Sequence, residues 1–500
     1  MRYLLGIDNG GTFAKAAIFD ENGKHIAKAG LPSNTHSPKP GYAERDMNEL
    51  WEVNAEVIRQ TIVNSGISSE DIVGISFSGH GKGLYPIKAN GEPAYAGIPS
   101  TDSRAQEFVD QWYQTGIDKK VYQKTYQNIL VTQPVSILAW LKKYEPEAYA
   151  DIKYVFSVKD FIRYKLTNEA YGEYTDFSGG NLINLNTKVY DQELMQLFDI
   201  EEVYEKLPPL KYSAELCGVI TPEAAEKTGL KEGTPVAAGM FDINACGIAS
   251  GLGDPEKLSM IAGTWSINEY IRKEPLTDGS ISLNSMFCMP DYFLIEESSP
   301  TSAGNLEWYI QNLLPELKTE AKKNNSNVYK IVDTWVEEIN PAENDLIFLP
   351  FLYGSNEQAK AKASLIGLTS YHTRKHITQA IFEGIVFSHL THLNKLLARR
   401  EKPESIQLSG GVVNSAVWVQ MFANATGIPI DVVDDKELGA QGAAMAAGIA
   451  AGLYKDYADA INKCVSFSRT VKPRKEFTKL YQEKYQNYRS LIDALGAFWK

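Results

Sequence analysis

Tyr3 to Asp20 reads YLLGIDNGGTFAKAAIFD, and the layout of that stretch decides the fold. Tyr3, Leu4, Leu5 and Ile7 make one apolar run, Gly10-Gly11 breaks it, and Ala16, Ala17, Ile18 and Phe19 make a second. Short apolar runs on either side of a glycine step predict strand, turn, strand. The layout returns near mid-chain, where Lys257 to Ile271 reads KLSMIAGTWSINEYI around Gly263-Thr264. One Gly-Thr turn is common; two, each opening a half of the chain, point to a duplicated fold. Between them, Asp46 to Val63 carries Leu50, Trp51, Val53, Val57 and Ile58 at helical spacing. Ile72 to Phe77 then reads as a buried strand running into the glycine-rich loop Ser78-Gly79-His80-Gly81-Lys82-Gly83. Strands followed by helices, with glycine loops at strand ends, predict an α/β protein whose working residues lie on those loops. The glycine-rich stretch Gly247 to Asp254 separates the halves, giving domains 1–246 and 247–500. The C-terminal stretch Phe477 to Trp499 has the spacing of a closing helix.

A chain of 500 residues exceeds one ordinary core. Its net charge of −12 argues against nucleic acid or an anionic membrane as the main partner. The four cysteines, Cys217, Cys246, Cys288 and Cys464, stand far apart with no CxxC pair, which fits a reducing compartment. No apolar signal core opens the chain, and the apolar stretch Gly439 to Leu453 is too short to span a bilayer. A cytoplasmic location is expected.

The loops offer a consistent chemistry. In Asp8-Asn9-Gly10-Gly11-Thr12 the glycines let backbone N–H groups approach an anion, and the Thr12 hydroxyl adds a donor. Asp8 is a poor phosphate ligand, but it can hold magnesium through water. Lys15 brings charge for a β- or γ-phosphate, and an ordinary hairpin turn is the competing explanation. Gly263 and Thr264 form the partner loop. Gly410-Gly411, followed by Asn414 and the helical pattern Ala416 to Thr426, suits a flat adenine. The small residues from Gly439 to Ala444 allow close approach to a nucleotide wall, or else tight packing of helix on sheet. No GxxxxGK[ST] occurs, so a P-loop fold is disfavoured. Asp242 follows the apolar run Pro235 to Ala238 and precedes a helix of small residues. It is the carboxylate placed to act as a base and to touch the metal; a helix N-cap is its bland alternative. His80, Gly81, Lys82, Asp102 and Arg104 supply polar groups for several hydroxyls, or for a carboxylate in the case of Lys82. His376, His389 and His392 read as packing or solvent-facing residues rather than metal ligands.

Taken in order, IDNGGTFAK, SGHGKG, STDSRA, KDFIRYKLT, TDFSGGNL, GMFDINACG, IAGTWS, SPTSAGNLEW, FLPFLYGSN, EGIVFSHLTHLN and LSGGVVNSAVWVQ resemble the FGGY carbohydrate kinase family. The resemblance runs over essentially the whole chain and comes closest to the L-xylulose/3-keto-L-gulonate branch. It implies two RNase H-like domains of the actin, Hsp70 and hexokinase superfamily flanking a deep cleft. It also implies ATP and Mg2+, a small sugar acceptor, no nucleic-acid or membrane partner, and a homodimer. Carried over by residue, Asp242 falls on the catalytic base and Asp8 on the magnesium-linked carboxylate. Gly10, Gly11, Thr12 and Lys15 fall on the first phosphate loop, Gly263 and Thr264 on the second. Gly410, Gly411 and Asn414 fall on the adenosine wall, and His80, Gly81, Lys82, Asp102 and Arg104 on substrate loops. Three departures stand out: Ile243 replaces the usual Asn or Gln after the base, SGHGKG replaces SGQMHG, and Ile137 stands where a Lys commonly follows Pro134 by three. The first two disfavour D-xylulose. The rivals are kinases for D-xylulose, D-ribulose, erythritol or glycerol, and an assembly ATPase like the actin and chaperone branches.

Overall fold

The computed structural model describes residues 1–500 except 264, 282, 324, 359, 434–436 and 500. The chain forms two compact units. The first holds Met1–Gly253, Ile271–Ile295 and Glu437–Val465; the second holds Asp254–Tyr270, Glu296–Lys436 and Ser466–Lys500. Each unit is assembled from three separate segments of chain.

In the first unit, β1 (Tyr3–Asn9) pairs antiparallel with β2 (Phe13–Asp20), and β2 pairs antiparallel with β3 (His25–Pro32). On its other edge β1 runs parallel to β4 (Ile72–Gly79), placing Asp8 opposite Ser78. With β5 (Leu216–Val219) and β6 (Pro235–Ala237) the order is β5-β6-β4-β1-β2-β3, and β7 (Met240–Phe241) lies parallel to the end of β4. Leu4, Leu5, Ile7, Ala16, Ala17, Ile18 and Phe19 are all buried, as a sheet covered on both faces requires. Helix Met47–Ser65 packs on β2 and β3. Asp46 caps its start by accepting the N–H groups of Asn48 and Glu49, and Gly66 ends it in the left-handed region.

The opposite face is covered by helix Leu438–Ala450, which packs on β1 and β4. A Cβ at Gly6 would stand 1.8 Å from the Ala440 carbonyl oxygen, so strand and helix meet backbone to backbone. The small residues from Gly439 to Ala444 therefore serve close packing of helix on sheet inside the first unit. Overpacking of this kind costs about 1–3 kcal/mol, which explains why the helix is almost wholly Gly and Ala.

The second unit repeats the plan. Strand β8 (Ser259–Ala262) pairs antiparallel with β9 (Ser266–Arg272), and β10 (Phe293–Ser299) follows β9. On its other edge β8 runs parallel to β11 (Ile406–Ser409), then come β12 (Ile430–Val433) and β13 (Phe467–Val471). The order β10-β9-β8-β11 matches β3-β2-β1-β4, so third, second, first, fourth occurs twice, each time continued by a further parallel strand, β12 and β6. Helices Arg374–Leu397 and Ala416–Thr426 fill the core, where the Phe382 and Trp418 rings lie 4.2 Å apart between centroids. The expected helix at 416–426 is observed with those bounds, and the closing helix runs Lys475–Leu495.

Candidate active site

In the first unit the carboxylates stand at the C-terminal ends of parallel strands, where α/β sheets place their ligands. Asp8 lies near the end of β1, and its Oδ1 accepts a 2.7 Å hydrogen bond from the Ser78 hydroxyl on β4. A Cβ on Gly439 would sit 2.9 Å from the Asp8 carboxyl carbon, so only a glycine at the start of helix Leu438–Ala450 leaves room for that side chain. Burial raises the Asp8 pKa, with the Ser78 bond and Lys15 opposing it. Asp242 opens helix Asp242–Ala249 directly after β7, as its first helical residue; the N-cap position belongs to Phe241. Its pKa is pushed well above the usual carboxylate range by burial, then by the charges of Asp8 and Asp176, while Lys82 pulls it down. The side chain is nevertheless half-buried, with a route to solvent.

The first glycine loop is held by its backbone. The Gly10 N–H donates to the Phe13 carbonyl at 3.1 Å, the Ser33 N–H to Thr12 at 2.9 Å, and the His80 N–H to Asn9 at 2.9 Å. Buried Arg45 donates to the Gly11 carbonyl and, through Nε, to the Thr35 hydroxyl at 3.1 Å. The Asn9 side chain is buried with neither amide atom hydrogen-bonded to the described residues. Thr12 is exposed. Lys15 sits opposite Asp8 in the β1–β2 register and lies 3.6 Å from Glu437, which also takes Lys28 at 2.5 Å.

The substrate-loop residues divide into two groups. Lys82 adopts φ +65 and donates its N–H to Asp176 Oδ1 at 3.3 Å, and its ammonium stands 5.3 Å from the Phe241 ring centroid. Gly81 is held against that ring, which a Cβ would meet at 2.4 Å. His80, Asp102 and Arg104 spend their polar atoms on protein partners. His80 Nε2 lies 2.9 Å from the Tyr85 hydroxyl, and burial, then the Arg45 charge, bring its pKa down to about 3. Asp102 accepts the Ala43 N–H at 2.6 Å and pairs with Arg104 at 2.9 Å. Arg104 also pairs with Glu44 at 2.9 Å and lies over the Tyr42 and Trp140 rings.

In the second unit, the glycine loops leave the ends of neighbouring parallel strands, with Ile261 opposite Ser409. Gly410 has φ +92, and a Cβ there would lie 2.6 Å from the Ala262 carbonyl oxygen. Gly411 and Gly263 have open space where a Cβ would stand, and neither has positive φ, so packing alone demands glycine at neither. Asn414 donates its side-chain N–H to the Gly411 carbonyl at 3.1 Å. Ser415 caps helix Ala416–Thr426 and donates to Asp333 at 2.7 Å. Thr264 lies outside the described residues.

Several site residues escape a reading of the sequence. Asp176 is held by Lys159 at 3.3 Å, within a fully buried set that includes Asp160, Arg163 and Glu173. Arg45 and Glu437 likewise act through tertiary contact. Asp176 and Lys159 sit in the blocks TDFSGGNL and KDFIRYKLT, which carry no role by themselves, whereas Arg45 and Glu437 sit in none of the blocks quoted above.

Two sheets of one strand order, each ending in an open glycine loop, and a raised carboxylate beside the first, define an actin-like phosphotransferase. The chain belongs to the FGGY family of carbohydrate kinases: the family's N-terminal domain matches residues 3–248 and its C-terminal domain residues 258–451. It is 39% identical over 499 residues to the L-xylulose/3-keto-L-gulonate kinase of Escherichia coli (strain K12), covering 99% of this chain and 98% of that one. It is 37% identical over 498 residues to the probable L-xylulose kinase of Pasteurella multocida (strain Pm70), covering 99% of this chain and 100% of the relative. The ligand-bound xylulose kinase of Lactobacillus acidophilus shares the fold with a TM-score of 0.90 at 24% identity, over 100% of this chain and 99% of that one. The protein is an ATP-dependent carbohydrate kinase acting on a small sugar, and none of its described helices is long and apolar enough to cross a membrane.

Proposed function

We propose that the protein transfers the γ-phosphoryl group of ATP to a terminal hydroxyl of L-xylulose or 3-keto-L-gulonate, with Asp242 as the base. The observation carrying the base assignment is the position of Asp242. It stands at a strand end beside Asp8 and Lys82, in surroundings that make its carboxylate a better proton acceptor than an exposed one. The acceptor O–H proton passes to Asp242 as its oxygen bonds the γ-phosphorus; the bond from that phosphorus to the β–γ bridging oxygen breaks, and ADP leaves. Most of the acceleration comes from positioning and charge, with the base contributing about 10²–10⁴-fold.

Backbone N–H groups of Gly10 and Gly11 with the Thr12 hydroxyl, and those of Gly263 with Thr264, are proposed to take phosphate oxygens. Gly410, Gly411 and Asn414 are proposed to border the adenosine. The space left over Gly11, Gly263 and Gly411 supports this reading. Asp8, and Asp242 beside it, fit Mg2+, which is commonly held by one or two carboxylates together with nucleotide phosphates. There it would offset the charge growing on the transferred group. Lys82 is proposed to hold an acceptor hydroxyl or carboxylate, with His80, Gly81, Asp102 and Arg104 shaping that side. Ile243, buried beside the base, gives an apolar neighbour in place of an amide, and so disfavours D-xylulose. We further infer a cytoplasmic homodimer and domains divided near 246/247.

The test is coupled ADP release with Mg·ATP over L-xylulose, 3-keto-L-gulonate, D-xylulose, D-ribulose, erythritol and glycerol. Highest kcat/KM on either of the first two supports the reading. A best response to any other acceptor, or ATP turnover indifferent to all six, overturns it.

A further inference from the structure

A histidine with no part in the chemistry so far lies beneath the second glycine loop. His389 sits on helix Arg374–Leu397, fully buried, its ring edge-on to Phe422 at 5.3 Å between centroids. Both ring nitrogens have serine partners. Nδ1 is 3.0 Å from the Ser266 hydroxyl and Nε2 is 2.9 Å from the Ser302 hydroxyl. Ser266 is the first residue of β9 and the register partner of Ala262, the residue before Gly263. Ala303, next to Ser302, donates its N–H to the Gly263 carbonyl at 3.0 Å. Asn268 donates to the Ser266 hydroxyl at 3.2 Å, with a further bond to the Glu297 carbonyl at 3.3 Å. The imidazole thus joins the exit of the glycine loop to the segment that grips its turn.

Among the described residues, the loop has little else to fix it. Gly263 has no side chain and nothing packed over it, and Trp265 is 53% exposed. Gly263 makes one bond within the loop, its N–H to the Trp265 carbonyl at 3.2 Å. Phosphate donors accelerate transfer only when held in place before the reaction, and fixing them falls to groups whose own positions are locked by packing. His389 has that property, anchored on a long core helix and flanked by an aromatic ring.

We propose that His389 is a positioning residue for phosphoryl transfer, fixing the Gly263 loop for nucleotide phosphates by bridging Ser266 and Ser302. The proposal rests on the reading of Gly263 as a phosphate-binding residue. It acts on the phosphates and leaves the nucleoside alone.

The experiment compares His389→Ala, His389→Gln, Ser266→Ala and Gly263→Ala by calorimetry with Mg·AMP-PNP and with adenosine. Kinetic KM values for ATP and for the acceptor are measured beside them. Loss of a buried hydrogen bond predicts about tenfold weaker AMP-PNP binding for His389→Ala and about fivefold for Ser266→Ala. Adenosine affinity and acceptor KM should stay within twofold, and Gln, which keeps one donor and one acceptor, should recover most of the loss. Unchanged AMP-PNP affinity in both His389→Ala and Ser266→Ala overturns the proposal, as does an equal loss for adenosine. If His389→Ala does not fold, Ser266→Ala decides. Gly263→Ala separates the two readings: when it alone weakens AMP-PNP, only the role of His389 fails. When it leaves AMP-PNP untouched, the phosphate reading of the loop fails with it.

Discussion

The two glycine loops occupy the same place in the same strand order, yet their surroundings differ in kind. Around Gly10-Gly11 stand charges: Asp8, Asp242, Lys82, Lys15 with Glu437, and Arg45 holding the Gly11 carbonyl. Beneath Gly263 stand neutral groups: Ser266, Ser302, Asn268 and the His389 imidazole, whose pKa burial brings down to about 3. A duplicated framework thus fixes where loops emerge, and the residues beneath them fix what each loop can do. The first unit can move protons and balance charge, whereas the second offers a rigid set of uncharged donors.

The sharpest way to break this comparison is Asp242→Asn. It should lower kcat by about 10²–10⁴-fold while acceptor binding survives. The same variant should raise Tm at neutral pH by about 2 °C or more. The sign follows from linkage: the folded pKa of Asp242 lies above the unfolded value, so its stability contribution is greatest at low pH. That contribution falls as pH rises from about 3.9 through the folded value, and the amide removes the penalty. A normal kcat, or a lower Tm at pH 7, would sink the assignment of charge chemistry to this loop.

Next in size is Gly439→Ala. The added methyl meets the Asp8 carboxylate at about contact-breaking distance, and kcat should fall about tenfold with a steeper Mg2+ requirement. Full activity at low Mg2+ would show that Asp8 tolerates displacement. Smaller again is Gly11→Ala, where no protein atom lies within 4 Å of the new Cβ. Tm should stay within about 1 °C while the KM for ATP rises about fivefold; a fall in Tm with unchanged KM would make the glycine a folding requirement instead. The mildest probe is Asp176→Asn. Removing that charge lowers the Asp242 pKa, so the acid limb of kcat/KM should move to lower pH. A limb that stays put would separate Asp176 from the base.

These tests also mark what the sequence could reveal. The strand–glycine–strand units at Tyr3 and Lys257 were legible because the apolar period and the glycine steps are local. Asp242 was legible because an acidic residue between an apolar strand and a small-residue helix is a local pattern too. Asp176, Arg45 and Lys159 were not, since a buried charge is defined by partners from distant segments. Helix Leu438–Ala450 was half legible. Its Gly and Ala content announces close packing, but the strand it meets lies more than four hundred residues upstream, which no local period encodes. His389 read as a packing residue, and only the two serines at its nitrogens give it more to do.

The late return of that helix has a consequence for how the protein is made. The sheet begun by the first eighty residues has one face packed against helix Leu438–Ala450, and a ribosome working at roughly 5–20 residues per second needs roughly 20–90 s to reach it. Until then Gly6 and its neighbours present bare backbone and apolar side chains to solvent or to a chaperone. The first unit is complete only once Glu437–Val465 has been made. Because Gly439 also abuts Asp8, that carboxylate takes its final setting only after residue 439 has been made.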